Sequence, residues 1–347
     1  MEYTHGGDIY TYDGMLDFSA NINPFGASDE VMQAAMRGVR RSEAYPDPWC
    51  RKLRRALAEQ QQIPDETLIF GNGAADLIFS LVFALRPQKA LLTAPSFSEY
   101  AQALRAGGCE PSYHYLREEE DFRLTERILP LLDESVDVFF LCSPDNPTGQ
   151  VIDGALLERI VRRCGECRIR LVLDECFYEF MERPACAMSG GDVQGTPWVF
   201  LLRAFTKMHG MPGLRLGYGI CADSELLERL QAVRQPWSVS APAQEAGLAA
   251  LSGQERIRET RAYVCRERKW MEGRLTEIGV KHYPSSANYL LLHSEHDLFT
   301  RLLERKILIR DCGDYEGLKR GYYRTAIRRH EENVRLLTAL EDIYKER

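Results

Sequence analysis

Short apolar runs alternate with longer amphipathic stretches through residues 68–221 of this 347-residue chain. A short apolar run predicts a buried strand, whereas apolar residues three or four positions apart predict a helix. Strands that alternate with helices favour a mostly parallel sheet with helices on both faces, so we predict an α/β fold. The predicted strands are LIFGNG (68–73), KALLTAP (89–95), DVFFLCSP (137–144), IRLVLDE (169–175), WVFLLRAF (198–205) and RLGYGIC (215–221), and the clearest helices span 75–85 and 156–164.

The pattern changes after about residue 240. A long helical region at 243–275 precedes several short strands, which is typical of a smaller α+β domain. The N-terminal segment LDFSANINP (16–24) has the pattern of a strand but no alternating partner nearby, so we place it in the same domain. The sequence therefore predicts a large domain of residues 31–240 and a small domain formed by 1–30 and 241–347. The short strands are predicted at 281–285, 288–293, 307–312 and 322–327.

Composition and charge argue against nucleic acid or a membrane as a partner. The formal net charge is -7, which gives no long-range attraction to nucleic acid or anionic lipid. No apolar run approaches the ~18 residues of a membrane span, and no basic segment followed by an apolar one marks a signal peptide. The ten cysteines are scattered, and the one CxxC pair, Cys164 and Cys167, lacks a second pair at zinc spacing. We predict a cytoplasmic protein without a metal site.

Polar and glycine residues follow five of the predicted strands. The carboxyl ends of parallel strands meet at one edge of a sheet, where α/β proteins bind their ligands. The turn 71–76 opens a helix after a strand and can receive an anion through its backbone N–H groups. The other strands are followed by Phe97, by the proline-fixed turn Ser143-Pro-Asp-Asn-Pro-Thr-Gly149, by Asp174, and by Lys207 with Arg215 eight residues later.

These side chains meet the requirements of one kind of cofactor. A lysine amine bonds covalently to an aldehyde, and a helix N-terminus with an arginine holds a phosphate. A carboxylate pairs with a protonated ring nitrogen. The last requirement explains why an apolar strand ends at Asp174, since a buried carboxylate needs a compensating cation.

The ordered motifs SPDNPTG (143–149), LDE (173–175), FTK (205–207) and PGLRLGY (212–218) resemble those of the fold-type-I pyridoxal-phosphate enzymes, the aspartate aminotransferase superfamily. The chain is most similar to the branch that holds histidinol-phosphate aminotransferase and the L-threonine-O-3-phosphate decarboxylase of cobalamin biosynthesis. This resemblance extends over the whole chain. It implies an aspartate aminotransferase-like fold, with pyridoxal 5'-phosphate as cofactor and a homodimer as the assembly.

The resemblance implies a role in cofactor binding for each matching residue. Lys207 resembles the lysine that bonds to the cofactor, and Asp174 resembles the partner of the ring nitrogen; both are expected to be catalytic. Asn146 resembles the donor to the phenolic oxygen of the ring. The other implied contacts are Phe97 stacked on the ring, Gly73, Ala74, Ala75, Thr206 and Arg215 around the phosphate, and Tyr45, which reaches the phosphate of the neighbouring subunit.

The resemblance also implies where a phosphorylated amino acid binds. Arg324 in YYRTAIR resembles an arginine that holds an acidic group of the substrate, and Asn23 belongs to the ANINP segment on the substrate side. His5, Asn146 and Arg328 complete the expected contacts. Which basic residue takes the phosphate and which takes the carboxylate stays open.

Two positions depart from the aminotransferase pattern. Phe177 stands where aminotransferases have a tyrosine that donates to the phenolic oxygen, and the threonine-phosphate decarboxylases resemble this chain there. A hydrogen bond to a charged acceptor contributes roughly 1.5–3 kcal/mol, so its absence should alter the titration of the cofactor. Ala204 stands where a Ser or Thr commonly contacts the phosphate, which leaves Thr206 and Arg215 for that task.

The resemblance therefore implies decarboxylation of L-threonine O-3-phosphate to (R)-1-aminopropan-2-yl phosphate and CO2. The alternative is a histidinol-phosphate aminotransferase that uses 2-oxoglutarate. Threonine phosphate and serine phosphate differ by one methyl group, which a pocket discriminates by only ~1–3 kcal/mol, so the sequence leaves that choice open. Further segments that resemble the decarboxylases lie at 5–8, 17–24, 235–239, 287–290, 307–311 and 322–328.

Overall fold

A computed structural model describes residues 5–183 and 187–346 of the chain. The strands in chain order are β1 (Leu16–Asp17), β2 (Leu68–Gly71), β3 (Ala90–Ala94), β4 (Ser112–Tyr115), β5 (Val138–Cys142), β6 (Arg170–Asp174), β7 (Val199–Ala204), β8 (Gly217–Ile220), β9 (Lys281–His282), β10 (Tyr289–His293), β11 (Ile307–Leu308), β12 (Arg310–Asp311) and β13 (Tyr322–Ala326). The α-helices are α1 (Asp29–Val39), α2 (Arg51–Gln61), α3 (Ala74–Leu85), α4 (Ser98–Ala106), α5 (Gly154–Glu166), α6 (Gly190–Gln194), α7 (Ser224–Val233), α8 (Ala241–Ala250), α9 (Gln254–Ile278), α10 (Leu298–Glu304) and α11 (His330–Lys345).

The central sheet has the strand order β2-β8-β7-β6-β5-β3-β4. All neighbours are parallel except β8, which is antiparallel to both β2 and β7. Successive residues of β6 enter opposite apolar clusters, Leu171 and Leu173 on one face and Val172 on the other, because side chains alternate along a strand. The predicted α/β fold is confirmed. Within the described ranges, no helix is both long and apolar enough to cross a membrane.

Strand β4, which pairs in parallel with β3 at the edge of the sheet, is absent from the strands predicted from the sequence. Its sequence, SYHY, is polar, and none of its residues is buried. An edge strand has one partner and an open flank, so it needs neither the apolar run nor the strict alternation that marks a buried strand. The outermost position of β4 explains why the apolar pattern did not reveal it.

A second sheet, with the order β12-β13-β10-β9, is antiparallel throughout and packs against α9 and α11. The N-terminal strand β1 pairs in parallel with β11, far along the chain. The predicted helical region 243–275 consists of two helices, and Gly253 precedes the second of them. Helix α8 follows residue 240, yet it packs against α1 and joins a core cluster of the central sheet. The proposed domain boundary at residue 240 stays a prediction.

Candidate active site

Four parallel strands bring side chains from distant parts of the sequence to one edge of the central sheet. Strand β6 ends at Asp174, next to Cys142 at the end of β5. Phe97 lies just beyond β3, Asn146 just beyond β5, and Lys207 just beyond β7. The carboxyl edge of an α/β sheet is the usual place for a ligand site. The chemistry-bearing side chains therefore follow neighbouring strands.

Asp174 is a buried carboxylate that accepts hydrogen bonds from two donors. Its Oδ2 accepts a bond from the hydroxyl of Tyr100 at 2.7 Å, and its Oδ1 accepts one from the backbone N–H of Cys176 at 2.9 Å. Burial raises the pKa of Asp174, and the hydrogen bonds from Cys176 and Tyr100 and the charge of Lys207 oppose that rise. A protonated nitrogen against this carboxylate would compensate its burial further.

The adjacent acid, Glu175, has a separate role. Its Oε2 accepts hydrogen bonds from Arg203 Nη2 at 2.7 Å and Nε at 3.2 Å, and its Oε1 accepts one from the backbone N–H of Met188 at 2.7 Å. All three residues are buried. Successive residues point to opposite sides, so Asp174 and Glu175 do not share a partner. Glu175 links the central strands to the segment around Met188, while Asp174 faces the candidate site.

Lys207 lies in the loop after β7 with its amine 5.4 Å from the centre of the Phe177 ring. Desolvation lowers the pKa of Lys207, the thiol of Cys176 opposes this, and the charges of Arg324 and Arg215 lower the pKa further. A lysine with a lowered pKa has more of the neutral amine, which is the nucleophilic form. The surroundings of Lys207 therefore favour covalent chemistry at its amine.

The N-terminus of α3 and the guanidinium of Arg215 form a cradle. Gly73 precedes the helix at a φ of +82°, and a Cβ there would lie 2.4 Å from Arg215 Nη2. Gly217 is equally tight, since a Cβ there would lie 2.4 Å from the backbone nitrogen of Ala74. Arg215 also donates to the carbonyl of Pro212 at 3.0 Å. A cation beside the free N–H groups of a helix N-terminus favours a bound anion such as phosphate.

Arg324 connects the small sheet to the loop after β5. Its Nη1 donates to Oδ1 of Asn146 and, at 3.4 Å, to the hydroxyl of Tyr315, and its Nη2 donates to the carbonyl of Ser19 at 2.9 Å. The Nε atom is buried without a hydrogen-bond partner among the described residues. A buried guanidinium that has an unsatisfied donor and faces no carboxylate in these contacts is suited to an anionic ligand.

The two predicted N-terminal site residues differ in their surroundings. Nδ1 of His5 lies 3.4 Å from Oε1 of Glu99, in the first turn of α4. The amide nitrogen of Asn23 donates to the carbonyl of Met208 at 2.6 Å, and its backbone N–H donates to the carbonyl of Lys207 at 3.0 Å. Asn23 is thus bonded to the lysine loop itself, which makes it a support for Lys207.

Two further predicted residues are engaged elsewhere. The Nη2 atom of Arg328 lies 3.0 Å from Oε1 of Glu332, so a carboxylate already balances its charge. Tyr45 is 80% exposed and stacks on Trp237, with the ring centres 4.5 Å apart. The structure does not bring either side chain into a contact with Lys207 or Arg324 in this chain.

The structure adds site residues that sequence reasoning missed. Tyr100 bonds to Asp174, and its ring lies 5.5 Å from that of Phe97. Asp145 accepts hydrogen bonds from the hydroxyls of Ser96 at 2.6 Å and Thr148 at 2.8 Å, and burial raises its pKa to about 6. Both residues lie within three positions of a predicted site residue, yet neither sequence context shows which partner the side chain meets.

Fold and site together define an α/β enzyme scaffold of the aspartate aminotransferase type. Residues 13–340 match the family model for aminotransferase class I and II, so the chain belongs to that family. The family consists of pyridoxal-phosphate-dependent enzymes. This confirms the resemblance on which the sequence-based expectations depend.

The chain is similar over nearly its full length to two threonine-phosphate decarboxylases and to a histidinol-phosphate aminotransferase. The chain is 38% identical over 351 residues to the threonine-phosphate decarboxylase of Salmonella typhimurium, covering 98% of this chain and 96% of that protein. The crystal structure of the histidinol-phosphate aminotransferase from Clostridium acetobutylicum matches with a TM-score of 0.88 at 28% identity, covering 95% of this chain and 99% of that one. The L-threonine-O-3-phosphate decarboxylase from Porphyromonas gingivalis has a TM-score of 0.83 at 24% identity over 95% and 99% of the two chains, which shows a shared fold.

Proposed function

We propose that this protein is a pyridoxal-phosphate-dependent decarboxylase of L-threonine O-3-phosphate, which forms (R)-1-aminopropan-2-yl phosphate and CO2 for the aminopropanol arm of cobalamin. The observation that carries the proposal is the 38% identity, over nearly the full length of both chains, to the threonine-phosphate decarboxylase of Salmonella typhimurium. Phe177, next to Lys207, supports the same choice over an aminotransferase.

Two features of the site fit pyridoxal 5'-phosphate. Asp174 is buried and its pKa is raised, so a protonated ring nitrogen would stabilise its charged form. The cradle of Gly73 and Arg215 suits the phosphate, with the amides of Ala74 and Ala75 as further donors. The resemblance to the family adds the hydroxyl of Thr206 to these donors. When bound, the cofactor withdraws electrons from the bonds at the substrate Cα.

The side chains around this position divide the remaining work. Lys207 would hold the cofactor covalently and return a proton from its Nζ to the substrate Cα after CO2 leaves. Phe97 would cover one face of the ring, and the amide of Asn146 would donate to its phenolic oxygen. Asp174 would keep the ring nitrogen protonated, because its carboxylate would stabilise the positive charge.

Arg324 is the best-placed anchor for the substrate. It is buried, and it already contacts Asn146, a proposed cofactor ligand. His5 would bind a second acidic group from the N-terminal side, and Asn23 would act by fixing the lysine loop. Arg328 would take part only after a rearrangement that separates it from Glu332.

A homodimer with shared sites would complete the assembly. Met32, Met36 and Val39 form an exposed apolar face on α1, at the three- and four-residue spacing of one helix side. Tyr45 and Trp49 are exposed in the segment that follows, which places a potential contact with a partner's site beside this apolar face. Mixing inactive Lys207→Ala and Tyr45→Ala subunits should then restore activity, since the mixed dimer contains one complete site.

The decisive experiment incubates the purified protein with pyridoxal phosphate and L-threonine O-3-phosphate, without any keto acid. Release of CO2 and aminopropanyl phosphate over many turnovers is expected. Turnover of histidinol phosphate only after addition of 2-oxoglutarate would replace the proposal with the aminotransferase. Lys207→Ala is the control. It should lose turnover, and borohydride should no longer attach the cofactor irreversibly to the chain, as it does in the wild type.

A further inference from the structure

The first described residues pack against Ser19, and Gly6 lies close to the guanidinium of Arg324. The backbone N–H of Gly7 donates to the hydroxyl of Ser19 at 2.7 Å. A Cβ on Gly6 would lie 2.2 Å from the carbonyl oxygen of Ser19 and 3.4 Å from Arg324 Nη2. Side chains larger than hydrogen therefore do not fit at residue 6. The backbone of Gly6 therefore lies close to the guanidinium of Arg324, and Gly7 is bonded to Ser19, whose carbonyl accepts from Arg324.

Glu99 contacts His5 at the N-terminal end of the segment 5–7. It lies two residues after Phe97 in the first turn of α4, and its side chain is 15% exposed. Its Oε1 lies 3.4 Å from Nδ1 of His5, and its Oε2 accepts a hydrogen bond from the hydroxyl of Ser98 at 2.9 Å. The segment 5–7 thus bridges the helix after β3 and the arginine of β13.

Glu99 is an unexpected charge for a site that binds anions. Burial lowers the pKa of Lys207 and raises that of Tyr315, and the negative charge of Glu99 acts to raise both pKa values, as a minor contribution. Without a cation beside it, Glu99 would repel a substrate that carries a phosphate and a carboxylate. Pairing of Glu99 with the imidazole of His5 offsets that repulsion and holds the imidazole in one orientation.

We propose that Glu99 is a positioning residue that holds His5, and with it residues 5–7, against Arg324, and thereby selects substrates with a second anionic group. This inference rests on the proposed function, because it takes the substrate to be a phosphorylated amino acid. Glu99 does not contact the reacting atoms. It acts by orienting the imidazole.

The test compares His5→Gln, Glu99→Gln and the double variant, with Glu110→Gln as the matched control. Glu110 pairs with Arg105 on the surface just after the same helix. Glu99→Gln should raise KM for L-threonine O-3-phosphate about fivefold, and His5→Gln about tenfold or more, with kcat within about twofold. The double variant should bind better than His5→Gln alone, because it lacks the uncompensated carboxylate. Glu110→Gln should match the wild type.

Two results would overturn the proposal: effects of His5→Gln and Glu99→Gln that multiply independently, or an equal loss of kcat and kcat/KM in Glu99→Gln. A substrate-free readout separates this outcome from failure of the proposed function. Hydrogen exchange of residues 5–12 should be faster in Glu99→Gln than in the wild type, with no substrate added. Faster exchange with no turnover of threonine phosphate by the wild type would sink the substrate assignment; unchanged exchange would sink the positioning role.

Discussion

The hydroxyl of Tyr100 donates a 2.7 Å hydrogen bond to Oδ2 of Asp174, although 74 positions separate the two residues in the sequence. Tyr100 also stacks on Phe140, with ring centres 5.2 Å apart, and meets Phe97 edge-on. One tyrosine therefore supports both the proposed partner of the cofactor nitrogen and the aromatic ring proposed to cover the cofactor.

Tyr100→Phe should keep the ring stacking but remove the donor to Asp174. The pKa of Asp174 should then rise, because that bond favours the charged carboxylate. A hydrogen bond to a charged group is worth roughly 1.5–3 kcal/mol, so the acid limb of the pH–rate profile should move up by about one to two units. Tyr113→Phe, a partly exposed tyrosine on β4, is the control. An acid limb that stays in place would show that Tyr100 does not tune Asp174.

Gly73→Ala should weaken cofactor binding without unfolding the chain. The new Cβ would lie 2.4 Å from Arg215 Nη2 at a backbone φ of +82°, so the guanidinium must move away from the N-terminus of α3. Losing a charged contact to the phosphate should raise the Kd for pyridoxal phosphate about tenfold or more, measured by fluorescence titration. Gly213→Ala is the matched control, since a Cβ there has no atom within 4 Å. Equal affinities in the two variants would contradict the proposed cradle.

Phe177→Tyr should change the titration of the bound cofactor. Phe177 packs edge-on against Tyr289 at 5.0 Å and lies beside the amine of Lys207, so a hydroxyl at its ring position would add a donor on the lysine side of the site. A donor to the phenolic oxygen stabilises its ionised form, and the pH of the cofactor's colour change should fall by about one to two units. Absorbance spectra across pH give the result. No shift would mean that the hydroxyl does not reach the cofactor.

Asp145→Asn should raise stability at neutral pH. Burial raises the pKa of Asp145 to about 6, so the folded chain holds a proton that the unfolded chain releases between about pH 4 and 6. The contribution of Asp145 to stability is therefore present at low pH and falls by roughly 3 kcal/mol as the pH rises through 6. The variant lacks this fall, while the hydroxyls of Ser96 and Thr148 can still bond to an amide.

Urea unfolding of wild type and Asp145→Asn at pH 4.5 and pH 7.5 measures this difference. The gain in the variant should be large at pH 7.5 and small at pH 4.5. Glu158→Gln, on the exposed side of α5, should show no such pH dependence. A difference between wild type and Asp145→Asn that is the same at both pH values would refute the assignment.

The sequence by itself determined where the buried strands lie along the chain, because a run of Val, Leu, Ile and Phe is typical of a buried strand. It also placed Asp174 at the end of β6 and Lys207 after β7, since a polar residue after an apolar run marks a strand end. The edge strand β4 escaped because its exposed flank requires no apolar residue. The antiparallel direction of β8 escaped as well, since a buried strand looks the same whichever way it runs.

Only the tertiary structure decided which side chains meet. The bonds from Tyr100 to Asp174, from Ser96 to Asp145 and from Arg324 to Asn146 join residues that are 74, 49 and 178 positions apart. Their geometry depends on strand order, register and the packing of the small sheet against the large one. Local sequence patterns predict whether a residue is buried, whereas the identity of its partner depends on how the whole chain folds and packs.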